Sequence, residues 1–296
     1  MSQSFKSLSL YEFQERFPDD RSCYKYLAEL KWKDGYTCHK CGHKKYCDGI
    51  KEFDRQCTSC RYVESPTANT LFHMLKFSIH QAFYIVYFVS TSKKGIASTE
   101  LSRKLGLRQK TCWSFKMKVV QAMESSMQHP MNGEVDVDEF VIGGQETNTR
   151  GRKNKKKKLV VLGVEKKGKG ASRIYMRHIN QSSSKELGGF MKDFIDKMAE
   201  VRTDGWTGYI PLKEHFQLLI QEKSGKKGEN FTIVHRIIMN LKSWLRGTHG
   251  HAKHLQYYLD EYCYRFNRHF MEAGIFDNLL RRMVHHKPLT MKQIIS

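Results

Sequence analysis

Between positions 10 and 32, apolar residues recur at roughly helical spacing: Leu10, Phe13, Phe17, Tyr24, Leu27 and Leu30. That pattern predicts helix with one buried face. A cysteine-rich stretch without such a period follows, to about residue 63. From Leu75 to about His129 the helical period returns, broken at Lys93-Lys94-Gly95 and at Gly106. Within it, GIASTELSRKLGLRQKTCWSFK (95–116) predicts a short helix over 98–105, a turn at Gly106-Leu107-Arg108 and a second helix from about Gln109. This is the layout of a helix-turn-helix, and equally of a plain helical hairpin. After Pro130 the period shifts toward two. Glu134–Ile142, Leu159–Val164 and Arg173–Ile179 alternate or run apolar with β-branched residues, and predict three strands. A helix over about 184–199, a short strand into Asp204, a helix over about 231–244 and another over about 252–267 complete the reading. The pattern is that of an α+β chain.

Charge changes the picture next. Fifty-one Lys and Arg face thirty Asp and Glu, a formal net charge of +21, and an excess that large points to a polyanionic partner. Much of it is concentrated in RGRKNKKKK (150–158), which is at minimum a solvated basic loop. A second loop, EKSGKKGEN (222–230), is basic and glycine-rich. The best candidate for a membrane span, Ala82–Val89, is under half the ~20 apolar residues needed. The first twenty residues are polar and of mixed charge, unlike a secretory signal. A cytoplasmic protein with no membrane partner is expected.

Eight cysteines in such a chain favour a metal site over a disulfide framework. Cys38-x-x-Cys41 and Cys57-x-x-Cys60 are separated by fifteen residues. Each CxxC turn lets two thiolates converge, and two such knuckles close a tetrahedral Cys₄ shell around one Zn²⁺, with no position left for water. His39, His43 and Cys47 compete as ligands, but none has a partner at knuckle spacing. Cys23, Cys47, Cys112 and Cys263 read as small buried hydrophobes.

Two carboxylates stand in suggestive places. Asp138 lies on the first predicted strand, and Asp204 follows another strand just before Gly205-Trp206. Such residues can meet at the centre of one sheet and hold a pair of divalent ions ~3.5–4 Å apart. Either can equally be a turn or capping group.

The ordered set of segments is more specific than any one of them. CHKCGHKKY and CTSCRY are followed by SPTANTLFH (65–73), STSKKGIASTELSRKLGL (90–107), GEVDVDEFVIGG (133–144) and RTDGWTGY (202–209). LKSWLRGTHGH (241–251), YYLDEYCYRFNRH (257–269) and IFDNLL (275–280) complete the series. Over about residues 38–290 this resembles the zinc-ribbon DDE-type insertion-sequence transposases, the bacterial group related to eukaryotic Merlin elements.

After the N-terminal helical segment (1–36) that the spacing predicts, the resemblance implies a zinc ribbon (37–63) and a helical, helix-turn-helix-like DNA-binding region (64–130). A ribonuclease-H-like mixed sheet flanked by helices (131–270) and a C-terminal tail (271–296) would follow. It places the first catalytic Asp on Asp138, with Asp136 on the same strand face, and the second on Asp204. The third position, seven residues before Lys242, falls on His235, a DDH variant of a site that holds two Mg²⁺ or Mn²⁺ ions. Glu222 and Glu229 are the alternatives. Imidazole is a softer donor than carboxylate and suits Mn²⁺ better. Seven residues make close to two helical turns, so His235 and Lys242 share a face. Lys155, Lys156, Lys157, Lys158, Lys242, Arg246, Arg265 and Arg268 are the expected DNA contacts.

The activity implied is two-metal cleavage at the terminal inverted repeats of a transposon and strand transfer into double-stranded target DNA. A homodimer or higher oligomer on the DNA of a bacterial nucleoid would carry it out. The rival readings are a domesticated, non-catalytic DNA-binding adaptor and a structure-specific nuclease.

Overall fold

A computed structural model describes residues 7–143, 157–223, 225, 230–248, 254–272 and 274–295. The chain forms two compact units. One takes residues 1–123 together with 270–296, and the other takes 124–269.

The first unit is built on aromatic packing. The periodic run from residue 10 is two helices, α1 (Leu10–Arg16) and α2 (Asp20–Lys31), each opened by a capping box, Ser9 with Glu12 and Asp19 with Ser22. They part at Phe17-Pro18, where proline has no N–H to continue the first and drives its predecessor out of helical backbone. The zinc-ribbon segment is a three-stranded antiparallel sheet of β1 (Tyr46–Asp48), β2 (Arg55–Cys57) and β3 (Val63–Glu64). Its exit is locked by Lys31. The buried ammonium meets Glu64 at 2.8 Å and donates to the carbonyls of Ser65 and Ala68, which explains why SPTANTLFH folds as a fixed turn.

α3 (Ile79–Thr91) is apolar on most sides because it is the central helix of this unit. α4 (Ser98–Leu105) and α5 (Gln109–Gln121) meet the predicted boundaries, and Gly106 turns between them in left-handed backbone, φ 67°. That conformation suits a residue without Cβ.

The segment expected as a tail, 271–296, is largely helical. α9 (Gly274–His285) buries Phe276, Leu279, Leu280 and Met283 within the first unit, and α10 (Met291–Ile295) packs against α5. Phe13, Phe17 and Phe83 surround Phe276, and Asp277 binds both Arg16 (2.8 Å) and the Tyr26 hydroxyl (2.6 Å). The apolar spacing of 276, 279, 280 and 283 is that of an amphipathic helix, which has to bury its stripe against a partner.

The second unit is a five-stranded mixed sheet in the order β6-β5-β4-β7-β8. β4 (Glu134–Ile142), β5 (Lys158–Lys167) and β6 (Gly170–Ile179) are antiparallel neighbours. β7 (Glu200–Thr203) and β8 (Leu218–Gln221) add parallel to β4. The fold is the expected α+β, ribonuclease-H-like mixed sheet. One face is covered by α6 (Ser184–Phe194), whose Leu187, Phe190 and Met191 pack on Val135, Val137 and Val161. The other is covered by α7 (Thr232–Thr248) and α8 (Leu255–Asn267), which pack on Phe140, Val160, Leu162 and Met176.

Two differences from the periodicity are local. The helix predicted to 199 stops at Phe194, because Ile195 turns extended and bridges Met131. The stretch after Asp204 forms a 3-10 helix over Thr207–His215 and then β8, a strand of four residues, too short to announce itself by alternation.

α8 also closes the β6 edge. The Asn267 side chain accepts from the Ile174 N–H and donates to its carbonyl. Three helical turns earlier, Gln256 does the same for the His178 N–H and the Met176 carbonyl. Side-chain amides thereby stand in for a further strand, a protection that exposed edges require.

Candidate functional site

The four cysteines of the two CxxC turns form one cluster. Their sulfurs lie within 4.8 Å of one another, with Cys38–Cys60 and Cys41–Cys57 both at 3.6 Å. Zn–S bonds of about 2.3 Å at tetrahedral angles require sulfurs about 3.8 Å apart, so the cluster fits one structural zinc. At Cys38 burial opposes ionisation. The amides of Cys41 and Lys40 and the neighbouring thiols outweigh it and draw the pKa down to about 6. Against the His43 amide, the same thiol hydrogen bonds push Cys41 up to about 12, so the four sulfurs share one early thiolate and the rest lose their protons as metal binds.

In the second unit the register brings the two predicted aspartates together. The last ladder pair between β4 and β7 is Val137 with Thr203, so Asp138 and Asp204 stand one residue beyond it on adjacent parallel strands. Both carboxylates act, behind burial and Glu139, to raise the pKa of one fully buried hydroxyl, that of Tyr209.

The local sequence holds them in place. Asp138 accepts from the Glu139 amide at 2.8 Å, and Asp204 accepts from the Trp206 amide at 3.0 Å in an Asx turn. Trp206 donates from its indole to the Ser182 carbonyl, and the ring lies so close to Gly208 that a Cβ there would sit 2.6 Å from the indole nitrogen. Tyr209 donates to Glu139 at 2.6 Å. The segment DGWTGY is therefore a compact buttress behind the carboxylates. Glu139 and Tyr209 belong to it, and no spacing signal in the sequence pointed to their pairing.

The same ladder separates Asp136 from Asp138. Asp136 is 2% exposed and pairs with Lys166 and Arg202, each at 3.6 Å. Burial raises its pKa and those two cations oppose the rise. It is a buried ion-pair partner under the site.

Between β7 and β8 the last pair is Thr203 with Gln221, and the Glu222 amide continues the ladder by donating to the Thr203 carbonyl at 3.0 Å. Asp138, Asp204 and Glu222 thus occupy one row across three strands. Glu229 lies outside the described residues. His235 is half-buried in the first turn of α7, seven residues before Lys242, whose ammonium reaches 5.6 Å from the Phe140 ring on β4. Among the described residues, no set of three His, Cys, Asp or Glu other than the four thiols is drawn within 4.8 Å. Asp138, Asp204 and His235 are therefore not gathered into a closed cluster.

The basic residues divide. Lys155 and Lys156 fall outside the described residues. Lys157 packs by Gly143, and Lys158 opens β5 opposite Ile142. Partial burial, then the fields of Lys157 and Arg246, lower the Lys242 pKa. Three cations thus crowd the α7 end of the β4–β5 pair, an arrangement that an anion relieves. Arg265 donates to Glu261, which is 0% exposed, at 2.7 and 3.1 Å. Arg268 stacks its guanidinium 4.2 Å over Tyr264.

In the first unit, Lys93, Lys94, Arg103, Lys104, Arg108 and Lys110 are exposed around the α4–α5 turn. The one acid of that stretch, Glu100, pairs with Lys104 at 3.5 Å.

Comparison with known proteins follows the same division. Residues 130–267 match the ISXO2-like transposase domain, and residues 18–63 match the transposase zinc-ribbon domain. An uncharacterized protein in transposable element ISH50 of Halobacterium salinarum is 23% identical over 215 residues, covering 67% of this chain and 71% of that relative. No helix among the described residues is long and apolar enough to cross a membrane.

Proposed function

We propose that the chain is a zinc-ribbon insertion-sequence transposase, the reading that its two domain matches support, and that it cleaves the ends of its element and joins them to target DNA through Asp138, Asp204 and His235. The observation that carries this reading is the β4–β7 register, by which Asp138 and Asp204 each follow the last ladder pair of two adjacent central strands, on the face that α7 covers. Hard oxygen donors with one imidazole suit Mg²⁺ or, better, Mn²⁺. Two such ions, when bound, polarise the scissile phosphate and activate water or a 3′-hydroxyl. Asp138 and Asp204 would hold them, and His235 would complete the set from α7.

Lys157, Lys158, Lys242 and Arg246, with Lys155 and Lys156 in the same basic run, would hold the DNA backbone, and Arg268 would add to them. The exposed start of α5 with its surrounding cations has the character of a recognition helix, whose N-terminal residues enter the major groove. The ribbon would assist it in binding the terminal inverted repeats. Concerted action on two ends calls for a dimer or larger assembly on DNA, working in the cytoplasm.

The test is an end-cleavage and strand-transfer assay on duplexes carrying the element's terminal repeats, in Mg²⁺ and in Mn²⁺. Wild-type protein is expected to release a 3′-hydroxyl at the end and to join it to target DNA. Asp138→Asn and Asp204→Asn should each lose activity on the order of 10⁴-fold, with no further loss in the double variant, as for members of one catalytic unit. His235→Glu should stay active and shift its preference toward Mg²⁺. Cleavage without joining would favour a structure-specific nuclease, and binding without cleavage a DNA-binding adaptor. If His235→Ala cleaves normally while Glu222→Gln does not, the third ligand is Glu222.

A further inference from the structure

Arg202 has been met above only as a partner of Asp136, but its guanidinium touches more than that. It sits on β7 two residues before Asp204, so both side chains share a face of the sheet. Its Nε lies 3.6 Å from the buried Asp136 carboxylate, and one terminal nitrogen lies 3.4 Å from Glu222. The same nitrogen donates to the Asn230 carbonyl at 3.0 Å, and the guanidinium covers the Phe231 ring at 5.5 Å.

These partners have a common meaning in the topology. Glu222 is where the chain leaves β8, and Asn230 is where it returns. Asn230 also donates to the Lys223 carbonyl at 3.3 Å, so the two ends of this loop are tied at its neck. Phe231 is 2% exposed and immediately precedes α7, on which His235 is the fourth residue. One planar group with several donors thus ties the sheet at Asp136, both ends of the β8–α7 loop and the start of the helix that carries the third site residue. A lysine cannot replace it, because an ammonium has no planar fork to span two oxygens and lie flat on a ring.

We propose that Arg202 is a positioning residue, which sets the first turn of α7, and with it His235, against the Asp138–Asp204 pair. The proposal rests on the reading of that pair and His235 as a divalent-metal site. The contacts of Arg202 are to protein groups, and through them it would fix where a ligand stands, as residues behind metal ligands do.

The experiment compares Arg202→Gln, Arg202→Lys and the charge-balanced pair Asp136→Asn with Arg202→Gln in the full chain. The pair removes the buried Asp136 carboxylate together with its Arg202 partner, and leaves Lys166 its Glu134 partner at 2.8 Å. Two readouts are independent of turnover: Mn²⁺ binding by electron paramagnetic resonance in the presence of end DNA, and hydrogen exchange of amides 231–236. Loss of Arg202 is expected to weaken Mn²⁺ binding about tenfold to a hundredfold, the usual cost of losing a group that orients a metal ligand. Exchange in the first turn of α7 should quicken while that of β4 and β5 stays as in wild type. Arg202→Lys should fall between. A folded charge-balanced variant with wild-type Mn²⁺ binding and wild-type exchange at 231–236 overturns the role of Arg202. If Asp138→Asn, measured in parallel, keeps wild-type Mn²⁺ binding, the metal-site reading fails and takes the Arg202 role with it. If Asp138→Asn loses Mn²⁺ and the Arg202 variants do not, the Arg202 proposal fails alone.

Discussion

The zinc cluster and the carboxylate site solve opposite problems. Four thiols close within 4.8 Å of one another on a small three-stranded sheet, whereas Asp138 and Asp204 stand on adjacent strands and form no such cluster with His235. The ribbon is small and cannot bury a large core, so it depends on a cation that links its two turns, and a complete soft-ligand shell leaves nothing to react. The two-metal site proposed for the carboxylates would instead need open positions, which substrate oxygens fill. A closed thiolate shell is architecture; the carboxylates, on the reading proposed above, keep positions open for substrate.

Breaking the closed site should have the largest effect. Structural zinc contributes about 10–16 kcal/mol of apparent binding energy in small ribbons, so Cys38→Ser should unfold the ribbon. Metal analysis should then fall from one zinc per chain to none, while the hydrogen exchange of β4–β6 is unchanged. A ribbon that stays folded without metal would remove one half of the contrast.

The cores can be separated in the same way. Phe276→Ala removes a ring packed among Phe13, Phe17 and Phe83. It should cost about 3–5 kcal/mol, read as lost protection in α1–α3, with the five-stranded sheet unaffected. Asn267→Ala should cost about 1–3 kcal/mol in the second unit, because it leaves an N–H and a carbonyl of β6 without their partner. The readout is exchange at Ile174. The smallest effect is electrostatic. Neutralising Lys157 and Lys158 should flatten the dependence of DNA affinity on salt by about two units of log–log slope, measured by titration from low to moderate salt. A slope equal to wild type would remove those lysines from the interface.

Much of this was legible before the structure. The nine residues of β4, both helix boundaries at 98–105 and 109, and the Cys₄ spacing follow from periodicity and ligand geometry alone. What escaped depended on register or on partners. The row of Asp138, Asp204 and Glu222 needs the pairing of β7 with β4 and β8, and no single segment encodes that. The ion pair of Arg265 with the buried Glu261, one helical turn away, is likewise invisible in the charge pattern. The last helices pass for a tail because their apolar stripe of 276, 279, 280 and 283 has no meaning without α1–α3 to receive it. Gln256 and Asn267 look like ordinary surface polar residues, yet they close the edge of a sheet.

The most direct test of the contrast is a metal titration on one preparation, counting zinc by elemental analysis and Mn²⁺ by electron paramagnetic resonance, with and without duplex end DNA. One zinc per chain is expected in both states. Mn²⁺ should bind weakly to the free protein and rise toward two ions per chain when the DNA phosphate is present, and Asp138→Asn should abolish the rise. Two tightly bound Mn²⁺ ions without DNA, or a rise that survives Asp138→Asn, would contradict the contrast.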